Sequence, residues 1–419
     1  MLEHIFVRPS VIARLRGGLL GPYVDDLTTF LHQEGYALSH IQRSLRAGDQ
    51  FARWLHGQGA PLSAMDDAVL QRYVSGLRRY RSGHLPKAAQ GLSHLVRFLQ
   101  RQGVVSPRQA MLPILPLDQW LAAYDAHLAQ VAGLALSTRQ GYGRLVRRFI
   151  TTCFGAEVPD WPSVTTSMIT TFVTHEATRR PGAGRKLPSV AVRSCLRFLV
   201  FRGAIRTGLE AAALAPPQWR HAALPPRLLP EDVERVLAVY HDGTASSRRN
   251  RAMLLLLARL GLRAQDVIAL CLDDIDWADG RLGLHPGKTH RARSLPLPHD
   301  VGQAMVAYLQ GGRPQSACRQ VFLRCRPPFH ALTNSAVWWI VRQAFERAGI
   351  VVPSGIASHL FRHTAASHMV NHGASFKDVA DVLGHQSLQT TGIYAKLELN
   401  ALAAVALPWG GGALCLPTF

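Results

Sequence analysis

The chain is short of acidic residues, of cysteine and of long apolar runs, and each shortage removes a class of protein. Only 27 Asp and Glu stand against 47 Lys and Arg, for a formal net charge of +20. A surplus of that size points to a polyanionic partner, either nucleic acid or an anionic membrane. No apolar run reaches the ~18 residues of a membrane span, and Glu3, His4 and Arg8 interrupt any signal-peptide pattern. The six cysteines, at 153, 195, 271, 318, 325 and 415, form no Cys-x-x-Cys pair. They read as reduced thiols of a cytosolic protein. Nucleic acid is then the expected partner, and a membrane or RNA binder rests on charge alone. Tyrosine also runs out: after Tyr308 only Tyr394 remains.

What is present is concentrated between Ser358 and Lys396. The stretch reads His359-Leu360-Phe361-Arg362-His363-Thr364, then Leu383-Gly384-His385, then Tyr394. Ser358 is placed to cap a helix that runs through Met369 and Val370 to a stop at Gly373. A second helix from about Phe376 ends at Leu383-Gly384, and Ser387 is placed to start a short helix carrying Tyr394. His359 and Arg362, three apart, share a helix face. Two imidazoles, a guanidinium and a phenol suit chemistry on a phosphodiester. A phenol, with a pKa near 10, is a weak nucleophile until a base or cation activates it, and fixed Arg and His donors stabilise the charge that grows on the non-bridging oxygens. Taken alone, His359 and Arg362 would read first as a basic surface helix with a core histidine. Zinc at His359 and His363, spaced i, i+4, is disfavoured. A zincin has Glu after the first His, Leu360 stands there, and Arg362 would repel a dication.

His-x-x-Arg-His, Leu-Gly-His and the downstream Tyr resemble the C-terminal half of the tyrosine recombinases, the phage-integrase family. The resemblance implies an upstream Arg and a Lys. After an apolar helix over 252–260 comes Gly261-Leu262-Arg263-Ala264-Gln265-Asp266, which looks like the segment with the first Arg. Arg263 matches it, with Asp266 where the family often has an acid that would brace it. Strands are expected at Ile275–Trp277, Arg281–Leu284 and Ala292–Leu297, with an Asp279-Gly280 turn between the first two. Lys288 lies on the next turn, where the family has its catalytic Lys. Without the resemblance, Arg263 would read as a snorkelling surface residue and Lys288 as a solvated hairpin lysine.

The implied chemistry is strand transfer. Tyr394 would attack a DNA phosphate and form a 3′-phosphotyrosyl link, while Arg263 and Arg362 hold the non-bridging oxygens. Lys288 would protonate the departing 5′-oxygen, His359 would assist proton transfer at Tyr394, and His385 would donate a hydrogen bond to the phosphate. The link conserves bond energy, so no cofactor, neither ATP nor a metal, is expected. The implied partner is double-stranded DNA, with four protomers on two sites passing through a four-way junction, alongside companion recombinases in some systems. A type IB topoisomerase, or a DNA-binding protein of the same fold that does not cleave, would share these features.

The rest of the chain divides around prolines. The fold expected is mainly α with a small antiparallel sheet in the C-terminal part. Residues 1–20 give little pattern, and Gly21–Gly103 reads as helical stripes such as Leu70, Tyr73, Val74 and Leu77. Gly35-Tyr-Ala-Leu-Ser39 recurs as Gly133-Leu-Ala-Leu-Ser137, and Arg97-Phe98-Leu99 before Gly103 recurs as Arg197-Phe198-Leu199 before Gly203. Two anchors at nearly one offset suggest a duplicated helical unit. The domains expected are 1–106, a helical unit; 114–206, resembling the family's core-binding (SAM-like) bundle; 225–407, catalytic; and a tail, 408–419. In the second unit Arg139, Arg144, Arg147, Arg148, Lys186 and Arg193 are candidate phosphate contacts, or a solvated helix face. Trp338 and Trp339 are expected in the core and at a linker face. The apolar segment Ala401–Leu407 before the Gly-rich tail would, by resemblance, dock on a neighbouring protomer. The protein is expected in the cytoplasm, at the nucleoid.

Overall fold

Amphipathic stripes closed by glycines become helices over most of the chain. The computed structural model describes residues 2–65, 67–78, 87–105, 116–155, 159–180, 182–217, 225–285, 292–352, 357–385 and 387–397. The fold is mainly α with one small antiparallel sheet.

The N-terminal part holds α1 (Leu2–Ile5), α2 (Pro9–Gly17), α3 (Gly21–Gln33), α4 (Leu38–Gly57), α5 (Asp67–Arg78) and α6 (Lys87–Arg101). Leu2, Ile5, Leu27, Leu31, Ile41, Phe51, Leu95 and Leu99 share one core. Residues 1–20, which show little sequence pattern, thus contribute two helices. A stripe spread over one or two turns is too short for periodicity to register.

A second bundle consists of α7 (Pro116–Gln130), α8 (Leu136–Phe154), α9 (Thr166–Thr178) and α10 (Leu187–Phe201), closed around Tyr124, Phe149, Ile150, Phe172 and Leu196. It forms one compact unit, and the other described elements form another. The anchors of the suspected repeat have the same local form in both bundles. Gly35 and Gly133 are left-handed, at φ +85° and +61°, and are followed by extended Ala37 and Ala135 as N-caps of α4 and α8. Gly103 and Gly203, just beyond α6 and α10, are left-handed too, at +70° and +68°.

The C-terminal part runs α11 (Pro230–Ala238), α12 (Ala245–Arg259), α13 (Ala264–Ala269), β1 (Ile275–Asp276), β2 (Arg281–Leu284), β3 (Arg293–Pro296), α14 (His299–Gly311), α15 (Asn334–Arg347), α16 (Ala357–Asn371), α17 (Phe376–Leu383) and α18 (Leu388–Thr391). A 3₁₀ turn, Gly392–Leu397, follows. The strands pair in the order β1-β2-β3, with Leu282 opposite both Ile275 and Leu295. Alternation sends Leu282, Leu284 and Leu295 into the core. Met253 to Leu257 are all buried, so this stretch of α12 is wrapped on every side. Thr244, Thr333 and Ser375 cap α12, α15 and α17 by accepting a backbone N–H.

Two expectations are corrected. Ser358 lies inside the first turn of α16, not at its cap. Trp338 and Trp339 are 36% and 55% exposed, because α15 turns Val337, Ile340, Val341 and Ala344 inward; the guanidinium of Arg342 lies over the Trp338 ring at 5.4 Å.

Candidate active site

The site forms where the C-terminal ends of α12 and α17 meet the N-terminal half of α16. Gly261 follows α12 in the left-handed region, at φ +60°, and a Cβ there would stand 2.8 Å from Leu383 Cδ2. Only glycine makes this turn without strain. The turn aims the Gly261 carbonyl at Arg362, which donates to it at 2.8 Å and to the Leu383 carbonyl at 2.6 Å. Arg263, the next residue but one, donates to the same Leu383 carbonyl and to that of Gly384, each at 3.4 Å. Two guanidiniums from different helices therefore converge on one helix C-terminus, the end where cations are favoured. Arg362 is 5% exposed. Its burial, together with the nearby charges of Arg263 and Arg293, pushes its pKa down to about 9, so it stays charged at neutral pH.

Asp266 sits where an acid was expected to brace Arg263, but it does so through the backbone, accepting the Arg263 amide N–H at 3.2 Å. Its ion pair is with Arg293 of β3, at 2.9 Å between two largely buried side chains. Burial lowers the Arg293 pKa; Asp266 opposes that and Arg263 adds to it. Arg293 covers Gly384, where an added Cβ would overlap Nη1. This third arginine escaped the motif reading. Its one sequence signal was an acid at 266 in need of a cation.

His385 follows the left-handed Gly384, at φ +64°. Its Nδ1 lies 2.7 Å from the hydroxyl of buried Thr391. Burial, and then Arg362, Arg263 and Arg293, push its pKa down to about 4, so the ring is neutral near pH 7. If Nδ1 accepts the Thr391 O–H, Nε2 carries the proton and is the donor available to a ligand.

Tyr394, on the 3₁₀ turn, is 1% exposed. Burial raises its pKa to about 12, and Arg362 works against that rise. Its hydroxyl lies 2.9 Å from Nδ1 of His363. His359 stands one turn earlier on α16, exposed. Burial lowers the His363 pKa, and the fields of His359 and Arg362 lower it further. His363 appeared in the sequence only as a poor metal candidate.

Arg263, Arg362, His385 and Tyr394 thus lie within one electrostatically linked cluster, with His359 at its border. Lys288 lies outside the described residues, as does the tail. In the second bundle four of the six candidate phosphate contacts have internal partners. Arg139 pairs with Asp125 at 2.7 Å, Arg147 with Asp118, and Arg148 with Glu176 at 3.0 Å. Arg193 donates to the Ala213 carbonyl at 2.6 Å. Arg144 is exposed and Lys186 half-exposed.

Comparison with known proteins gives a consistent picture. The model of the phage integrase family matches residues 226–400. A putative integrase/recombinase, y4rA of Sinorhizobium fredii, is 35% identical over 405 residues, covering 96% of this chain and 97% of its own. Tyrosine recombinase XerD of Mycobacterium tuberculosis is 31% identical over 314 residues, 70% of this chain and 96% of its own. Among solved structures, a lambda integrase tetramer bound to a Holliday junction matches with a TM-score of 0.52 at 18% identity, over 74% of this chain and 87% of that one.

Proposed function

The chain belongs to the phage integrase family, the tyrosine recombinases, and from that premise we propose how its own residues divide the work. The protein is a site-specific DNA recombinase, an enzyme of DNA strand exchange. Tyr394 is the nucleophile, attacking a phosphate of double-stranded DNA to form a 3′-phosphotyrosyl link. Arg263 and Arg362 take the non-bridging oxygens. A guanidinium has five N–H donors, and the Gly261, Leu383 and Gly384 carbonyls use two on each. The others suit phosphate, and fixed donors stabilise the charge that develops during attack. His385 adds an Nε2–H. Lys288 protonates the 5′-oxygen as it leaves, and proton transfer at Tyr394 falls to the imidazoles of α16, where the family resemblance points to His359.

The observation that carries this reading is the Leu383 carbonyl shared by two guanidiniums. Two guanidiniums fixed at one point match the two non-bridging oxygens of a phosphate, both of which gain charge during attack. Four protomers on two DNA sites, with a four-way junction between them, complete the reaction; companion recombinases join where the two sites differ. The bundles of residues 1–106 and 114–206 grip the flanking DNA, and Arg144 and Lys186, which among the described residues have no carboxylate or carbonyl partner like those of the other four cations, make the phosphate contacts. The protein works in the cytoplasm, on the nucleoid.

The test is Tyr394→Phe. The variant is expected to bind its DNA site with unchanged affinity and to form no covalent adduct on a nicked suicide substrate. An adduct with that variant would remove Tyr394 from the mechanism.

A further inference from the structure

We infer that His363 is a catalytic residue, the base that takes the proton from Tyr394 during attack, rather than a helix-packing histidine. The inference rests on Tyr394 being the nucleophile. It comes from the hydrogen bond across 31 residues of sequence, which sets Nδ1 2.9 Å from the phenol oxygen, within the reach a general base requires. The rings meet at 5.8 Å between centroids and 55° between planes, so the imidazole offers an edge nitrogen to the hydroxyl. With Nδ1 unprotonated, the phenol O–H donates to it.

Three features suit His363 to the task. Tyr394 is 1% exposed, so its hydroxyl draws its hydrogen-bond partner from the protein, and His363 is that partner. Among the described residues, the charged and titratable groups around His363 are His359 and Arg362 on its own helix, His385 after α17, and Tyr394 itself. None of these is an anion at rest, so none of them holds a proton on the imidazole beforehand. Ser367, one turn on, donates its hydroxyl to the His363 carbonyl at 2.7 Å, which anchors the backbone under the ring.

The step balances without a co-reactant. As the Tyr394 Oη–P bond forms, the Oη proton moves to His363 Nδ1, and as the P–O5′ bond breaks the leaving oxygen takes a proton from the general acid. Transfer ahead of attack is uphill, because burial raises the phenol pKa and lowers the imidazole pKa. The proton therefore moves in step with bond formation, when the oxygen becomes far more acidic. On rejoining, the imidazolium returns it to Tyr394.

The experiment compares His363→Ala and His363→Asn in the full-length chain, following single-turnover adduct formation on a nicked duplex with DNA binding measured in parallel. An Asn side-chain oxygen accepts the same hydrogen bond but is not a base near neutral pH. Both variants are expected to bind DNA normally and to form adduct about 100-fold more slowly, the scale of general-base assistance. The deficit should narrow as pH rises and hydroxide takes over. Below the ordinary histidine range the native rate should fall, and in His363→Asn the part of that fall owed to His363 should disappear. If His363→Asn cleaves at the native rate, the residue only holds the ring in place and the inference is overturned. Should His363→Ala misfold, the Asn variant and the native pH profile decide alone. An adduct in Tyr394→Phe would defeat the nucleophile assignment instead, which separates the two failures.

Discussion

At the scale of single residues, Arg293 brings its charge into a region that already holds Arg263 and Arg362, and Asp266 makes that tolerable. Arg293→Ala would leave the Asp266 carboxylate, 17% exposed, with the Arg263 amide as its described donor. Breaking a fully buried pair costs about 3–5 kcal/mol. Partial exposure on both sides lowers the expectation here to about 2 kcal/mol, measured as a shift in the urea midpoint, with slower adduct formation as Arg263 loosens. An unchanged midpoint would show that the pair adds nothing. Arg263, Arg362, His385 and Tyr394 were legible in the sequence because each sits in a short motif with fixed neighbours. Arg293 and His363 were not. Their partners, Asp266 and Tyr394, lie 27 and 31 residues away on other elements, and no local pattern joins them.

At the scale of elements, the glycines that stop helices differ sharply in what surrounds them. Gly373 beyond α16 and Gly384 beyond α17 are both left-handed, at φ +82° and +64°. A Cβ at Gly373 meets nothing within 4 Å, whereas one at Gly384 overlaps Arg293. Gly373→Ala should therefore cost only the backbone strain, roughly 1–2 kcal/mol. Gly384→Ala should cost more and should also stop adduct formation, since Arg293 and the carbonyls beneath Arg263 must shift. Equal effects on stability and cleavage would mean that the arginine simply moves aside. Helix ends of this kind were readable from sequence, as were the hairpin around Asp279-Gly280 and the stop at Leu383-Gly384. The sequence misplaced Ser358, because a serine in a first turn and a serine at a cap look alike without φ. It also expected Trp338 and Trp339 in the core and at a linker face, because apolarity alone does not say which face of α15 is covered.

At the scale of the whole molecule, two separate cores share one weakness to acid. His94, on α6, has its pKa pushed down to about 4 by burial and then by Arg97 and His40, and His385 sits at about 4 in the catalytic part. Both are neutral when folded, and both take up protons below about 6.5 once unfolded. The unfolded chain thus binds more protons between those values, and stability rises with pH across that window. It should be complete above pH 6.5 and lost progressively as pH falls toward 4, which urea titrations at stepped pH would follow; a flat profile would show that both rings charge without penalty. The mainly helical fold and its small sheet were visible in the sequence, because helical stripes, prolines and turn dipeptides are local. The burial that gives these histidines their shifts is long-range and was not. The Leu383 carbonyl oxygen has a related significance. Since the guanidiniums of both Arg263 and Arg362 lean on it, a shift of that carbonyl moves them together. A peptide or small molecule that wedged the last turn of α17 outward would shift both guanidiniums together, touching neither.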